Sequence, residues 1–137
     1  MELGQIRGEA VIVAGIGSRK GVSATEVVAA IEATLKEHGL TKAALSLLAT
    51  ARMKRDEAGI IAAGAALNVP LILVDDEVLR DMSAKTLSHS DASLAAAGVG
   101  SVSEAAALAA AGEGARLARP RIAVGAVTCA LAFGGDI

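Results

Sequence analysis

Three times between Ala10 and Glu77 a short apolar run gives way to a polar turn and then to a helix start, and this alternation constrains the fold more than any other feature. Ala10–Gly15 (Ala-Val-Ile-Val-Ala-Gly) has the continuous β-branched character of a strand covered on both faces. A Gly-rich turn follows, and Ser23-Ala24-Thr25-Glu26 then forms a capping box, with Val27, Val28, Ile31 and Leu35 at helical spacing and a stop near His38-Gly39. Ala43–Leu48 reads as a second strand, Thr50–Glu57 as the turn after it, and a second helix runs to about Leu67. Pro70–Val74 is the third strand, and Asp75, Asp76 and Glu77 place acids where a helix dipole favours them. Strand-to-helix units in series imply parallel strands joined by right-handed crossovers, with helices on both sheet faces.

The second half departs from that rhythm. Met82–Gly100 is rich in Ser and Gly and reads as a long, lid-like loop. Ser101-Val102-Ser103-Glu104 repeats the capping-box pattern and leads into an Ala-rich helix, Ala105–Ala111, ended by Gly112. Ala115–Arg121 and Ala126–Phe133, separated by a turn carrying Gly125, read as a hairpin. The expected fold is α/β: a three-layer α/β/α arrangement around a mixed, mostly parallel sheet of about five strands with a C-terminal antiparallel hairpin. No repeat or linker divides the chain, so residues 1–137 are expected to form a single domain.

Composition narrows the function. Apolar residues make up 53% of 137, enough to bury roughly two-thirds of the unfolded surface, yet there is one Phe and no Trp or Tyr. A core of this kind packs by backbone approach, and base stacking has nothing to stack on. With a net charge of -2, nucleic-acid binding is not expected. A single Cys excludes an internal disulfide and a cysteine zinc site, and no metal or cofactor is expected. Met1–Arg7 lacks the basic and apolar regions of a signal peptide. The apolar stretch Ala58–Val74 is interrupted by Asn68 and Pro70, so a cytoplasmic protein without a membrane span is expected.

The strongest chemical signal is Gly15-Ile16-Gly17-Ser18-Arg19-Lys20-Gly21, a strand-to-helix turn whose amides and cations suit an anion. It is not the dinucleotide fingerprint, because Lys20 stands where G-x-G-x-x-G needs Gly, and no G-K-[ST] follows. Thr50 to Glu57 should lie at the same sheet edge, adding Arg52, Lys54 and Arg55. Ser101, Ser103 and Glu104 are explained locally as a helix cap, and neither His38 nor His89 sits in a nucleophile elbow.

Four blocks taken together resemble a known family. Gly15 through Ser23, then Thr50 with Lys54, Glu57 and Gly59, then Gly100-Ser101-Val102-Ser103-Glu104-Ala105-Ala106-Ala107-Leu108, and finally Val127-Thr128-Cys129-Ala130-Leu131-Ala132 look like the CobE family, shared with the C-terminal domain of CbiG, of cobalamin biosynthesis. The match spans nearly the whole chain in order. Relatives often carry Cys where this chain has Ser18 and Ser103, which argues against a thiol-dependent role. The resemblance implies an α/β domain that handles a corrin or precorrin intermediate. A free-standing copy resembles the accessory or carrier proteins of the oxygen-dependent route; the alternative is a hydrolase acting on a lactone-bearing cobalt-precorrin, with Glu104 or Glu57 as general base. The ligand-binding residues implied are Gly15, Gly17, Ser18, Arg19, Lys20, Gly21, Thr50, Lys54, Ser101 and Ser103. Their cations would hold the carboxylates of the ligand. Other enzymes of the pathway are expected partners.

Overall fold

The first strand is longer than its β-branched run. In the computed structural model, which describes residues 11–91, 94 and 98–134, β1 spans Val11–Ser18. Alternation along it sends Ile12, Ala14 and Ile16 into one core and Val13 into the other, with Gly15 and Gly17 on the same side as Val13. The expected turn thus begins at Arg19, and Gly15 and Gly17 are strand residues paired with Ala130 and Thr128.

Helix α1, Ala24–Glu37, starts as its sequence dictates: Ser23 Oγ accepts from the Glu26 amide at 3.1 Å, and Glu26 Oε1 accepts from the Ser23 amide at 2.9 Å. It stops at His38, followed by Gly39 at φ +72°. The second strand lies further along than its apolar run suggests. Lys42–Ala44 is a 3-10 turn and β2 is Leu47–Ala51, held in parallel register with Val13–Ile16 of β1. Thr50 Oγ1 locks that register by donating to the Ile16 carbonyl at 2.7 Å. A 3-10 turn, Arg52–Lys54, leads to α2, Ala58–Leu67, then β3, Leu71–Val74, and the short α3, Asp76–Asp81.

Helix α4, Val102–Ala111, is followed by β4, Arg116–Leu117, β5, Ile122–Val124, and β6, Val127–Gly134. The expected strand Ala115–Arg121 is broken, with Pro120, which has no amide to give a ladder, between β4 and β5. Among the described residues the sheet therefore has six strands, ordered β3-β2-β1-β6-β4, with β5 also on β6. β1, β2 and β3 run parallel, and β6 is antiparallel to β1 along its whole length. Helices α1 and α2 cover one face, α3 and α4 the other, as expected of three layers. Among the described residues no helix is long and apolar enough to cross a membrane.

The segment expected as a lid is partly anchored. After a 3-10 turn at Ser83–Lys85, the Leu87 and Ser88 amides bond to Glu104, and the Ser90 amide donates to the Gly100 carbonyl at 2.7 Å. Residues 92, 93 and 95–97, including Ser93 of that segment, lie outside the described residues.

Candidate functional site

Because β1 and β6 are antiparallel, the carboxyl end of β1 meets the hairpin turn that precedes β6. Ser18 pairs with Val127, and the Arg19 amide donates to the Ala126 carbonyl at 3.1 Å. The parallel neighbour β2 ends at the same edge and releases its chain into the Arg52–Lys54 turn. Helix α4 brings its first residue there from the opposite face. These elements enclose a cleft of about 490 Å³, within the range of small-molecule sites.

Its rim carries Arg19 and Lys20 from the end of β1, Lys54 from the turn after β2, and Arg121 from the start of the hairpin. Gly17, Ala51, Met53, Val102 and Ala126 supply a largely apolar lining, and among the described residues no carboxylate, imidazole or thiol lines the cleft. None of the four cations is in an ion pair among the described residues. A concave, low-dielectric surface with one sign of charge concentrates the opposite charge. Ser18 adds a hydroxyl that is buried and has no hydrogen-bond partner among the described residues. Thr128, also in the lining, donates to the Gly17 carbonyl at 3.3 Å.

The cleft thus gathers Gly17, Ser18, Arg19, Lys20 and Lys54 from the implied binding set. The others are placed elsewhere and have structural work. A Cβ on Gly15 would drive into the Ser103 carbonyl oxygen and lie 2.8 Å from Ala107 Cβ, so this glycine is what lets α4 lie on β1. Gly21, at φ +80°, makes the turn before α1, and its amide donates to Glu57 Oε1 at 3.0 Å. Glu57 therefore braces the β1–α1 loop from the other side of the turn. Thr50 is buried on its bond to Ile16. Ser101 caps α4 by accepting from the Glu104 amide at 3.3 Å, with Ser103 Oγ 3.4 Å from Ser101 Oγ. Arg52 is drawn away by an ion pair with Asp75.

Glu104 departs most from its sequence pattern. A reciprocal box would turn its carboxylate back to Ser101, whereas Oε1 accepts from the Leu87 and Ser88 amides, and Oε2 from Ser88 Oγ and the Arg121 amide. It is wholly buried and absent from the cleft lining. Cys129, in β6, faces the α1 side of the sheet; burial pushes its thiol up from 9.0 to about 12, with the Thr34 hydroxyl pulling the other way. Sequence reading missed Arg121, Ser90, Val102, Gly125, Ala126 and Thr128 as cleft residues. The one available signal was Arg121 itself, a cation directly after Pro120 and before a strand.

Fold and cleft define a mixed α/β domain with an anion-favouring sheet edge. The chain belongs to the cobalamin synthesis G C-terminus family of cobalamin-biosynthesis proteins, whose family model matches residues 12–132. It is 32% identical over 121 residues to protein CobE of a Sinorhizobium species, covering 88% of this chain and 79% of that one. The crystal structure of CobE, a protein from the cobalamin (vitamin B12) biosynthetic pathway, superposes with a TM-score of 0.86 at 38% identity, covering 90% of each chain. The cobalamin biosynthesis protein chiG of Agrobacterium tumefaciens is 48% identical, with a TM-score of 0.74 over 92% of this chain and 100% of that one. A putative cobalamin biosynthesis protein G homolog from Sulfolobus solfataricus gives 0.69 at 28% identity, and this chain spans 36% of its length.

Proposed function

We propose that this protein binds a corrin or precorrin intermediate of cobalamin biosynthesis by its peripheral carboxylates, in an accessory or carrier role. The observation that carries the reading is a cleft that, among the described residues, holds no acid and has Arg19, Lys20, Lys54 and Arg121 unpaired around an apolar lining. Corrin intermediates bear several acetate and propionate groups on a flat apolar ring. Charge-assisted hydrogen bonds from these cations would orient the rim, and Met53, Val102 and Ala126 would meet the ring edge. With no Trp or Tyr in the chain, stacking cannot set the orientation. A cleft of about 490 Å³ suits an edge-on grip rather than enclosure of the whole macrocycle.

A hydrolytic reading asks for a general base within reach of the ligand, and the lining residues supply no carboxylate or imidazole. Glu57 and Glu104 are already engaged by backbone amides. The test is a titration of the purified protein with hydrogenobyrinic acid, read from the visible spectrum and from co-elution on a sizing column. A complex that weakens with added salt, and by about tenfold in a Lys20→Ala/Lys54→Ala variant, is expected. No complex at tens of micromolar overturns the reading.

A further inference from the structure

Glu104 is a buried carboxylate with no cationic partner among the described residues, held by four neutral donors. Leu87 N and Ser88 N reach Oε1 at 2.7 and 2.8 Å, and Ser88 Oγ and Arg121 N reach Oε2 at 2.8 Å each. An apolar side chain of similar volume would leave the Leu87, Ser88 and Arg121 amides without this acceptor. What the carboxylate does is join segments remote in sequence. The Leu87–Ser88 backbone continues to Ser90, which lines the cleft; Arg121 also lines it; and Glu104 stands on the first turn of α4, whose Val102 lines it too. Pro120 has no amide, and Glu104 Oε2 is the acceptor of the Arg121 N–H.

We infer that Glu104 is the positioning residue of the cleft and that Arg121, held through its backbone amide, is the cation it sets against a carboxylate of the ligand. The ligand part rests on the corrinoid reading above; the positioning part does not. The chemistry of an amide replacement makes the inference specific. In Glu104→Gln one oxygen becomes an NH2 group. If that group replaced Oε1 it would face two N–H donors, whereas at Oε2 it faces one, because the Ser88 hydroxyl can turn to accept. The glutamine should therefore keep the Leu87–Ser88 clamp and release Arg121.

Site-resolved hydrogen–deuterium exchange decides the positioning. In the wild type the Arg121 amide should be protected; rapid exchange there overturns the inference before any variant is made. In Glu104→Gln, protection should fall at Arg121 while persisting at Leu87 and Ser88, and equal loss at all three would mean a purely structural carboxylate. Binding of hydrogenobyrinic acid decides the rest. Arg121→Met should weaken it about tenfold. The Glu104→Gln/Arg121→Met pair should weaken it no further than Arg121→Met, since one acts through the other. Additive losses, or wild-type affinity in Arg121→Met, overturn Arg121 as the cation. If the wild type takes no corrinoid, the function proposed above and the ligand part fall together, and the exchange pattern still decides whether Glu104 positions Arg121.

Discussion

The two faces of the sheet are built from different alphabets. Toward α1 and α2 the strands present Ile12, Ile16, Leu48, Val127, Cys129 and Leu131, and the helices answer with Val27, Ile31, Leu35 and Ile60. Toward α4 they present Val13, Gly15, Gly17, Ala49, Ala51, Ala130 and Ala132, met by Ala105, Ala106, Ala107, Leu108 and Ala111. The first face gains stability from the area of long aliphatic chains. The second gives up that area and gains proximity: the backbone of α4 rests against β1, and the helix start is carried to the sheet edge where Val102 lines the cleft. Eight of the ten α4 residues are buried, from Val102 to Leu108 together with Ala111. The large-residue face holds the fold together, and the small-residue face shapes the site.

Perturbing each face should tell them apart. Leu131→Ala, on the large face, should cost about 3 kcal/mol in urea unfolding and leave corrinoid affinity unchanged in the folded fraction. Gly15→Ala, on the small face, adds one methyl group and should cost about 2 kcal/mol, because α4, at Ser103 and Ala107, must lift from β1. Lifting α4 from β1 should also weaken ligand binding, and unchanged binding would break the link between close packing and the cleft.

A third effect belongs to the large face alone. The unfolded chain gives up the Cys129 proton near 9.0, while the folded chain keeps it up to about 12. Between those values the unfolded state binds fewer protons, so Cys129 makes stability fall as pH rises, by at most about 1.4 kcal/mol per pH unit. Below 9.0 its contribution is constant. Denaturation midpoints at alkaline pH, wild type against Cys129→Ala, should show a shallower decline in the variant. Smallest is Ser18→Ala at the rim: a buried hydroxyl with no partner to lose should change stability by no more than about 0.5 kcal/mol, while a loss of ligand affinity would show that the hydroxyl serves the ligand.

What was legible in the chain is what local chemistry decides. The Ser23–Glu26 box, the Gly39 stop and the Ser101 cap all follow from residues within a few positions of one another. Errors came where a distant element made the choice. Gly15 and Gly17 look like a loop because glycine weakens an isolated strand, yet they extend β1: α4 leaves no room for a larger residue at Gly15, and Thr128 of β6 crowds Gly17. Ala49 and Ala51 have little strand propensity of their own and are held by pairing and burial, which moved β2 past its expected end. Glu104 fits a capping box, but its oxygens serve residues 16 and 17 positions away. Arg121 enters the cleft only through the hairpin that carries it.

The ring-poor interior has an optical consequence. Phe133, the one aromatic besides the histidines, sits with its ring centroid 5.8 Å from that of His38 at the end of α1. A chain without Trp or Tyr is nearly transparent at the wavelengths used to follow protein by absorbance and has no indole or phenol fluorescence. Its near-ultraviolet dichroism is a report from the single α1–β6 junction at Phe133. Any coloured ligand in the cleft, at β1's carboxyl end and away from Phe133, would therefore be seen against an almost dark protein.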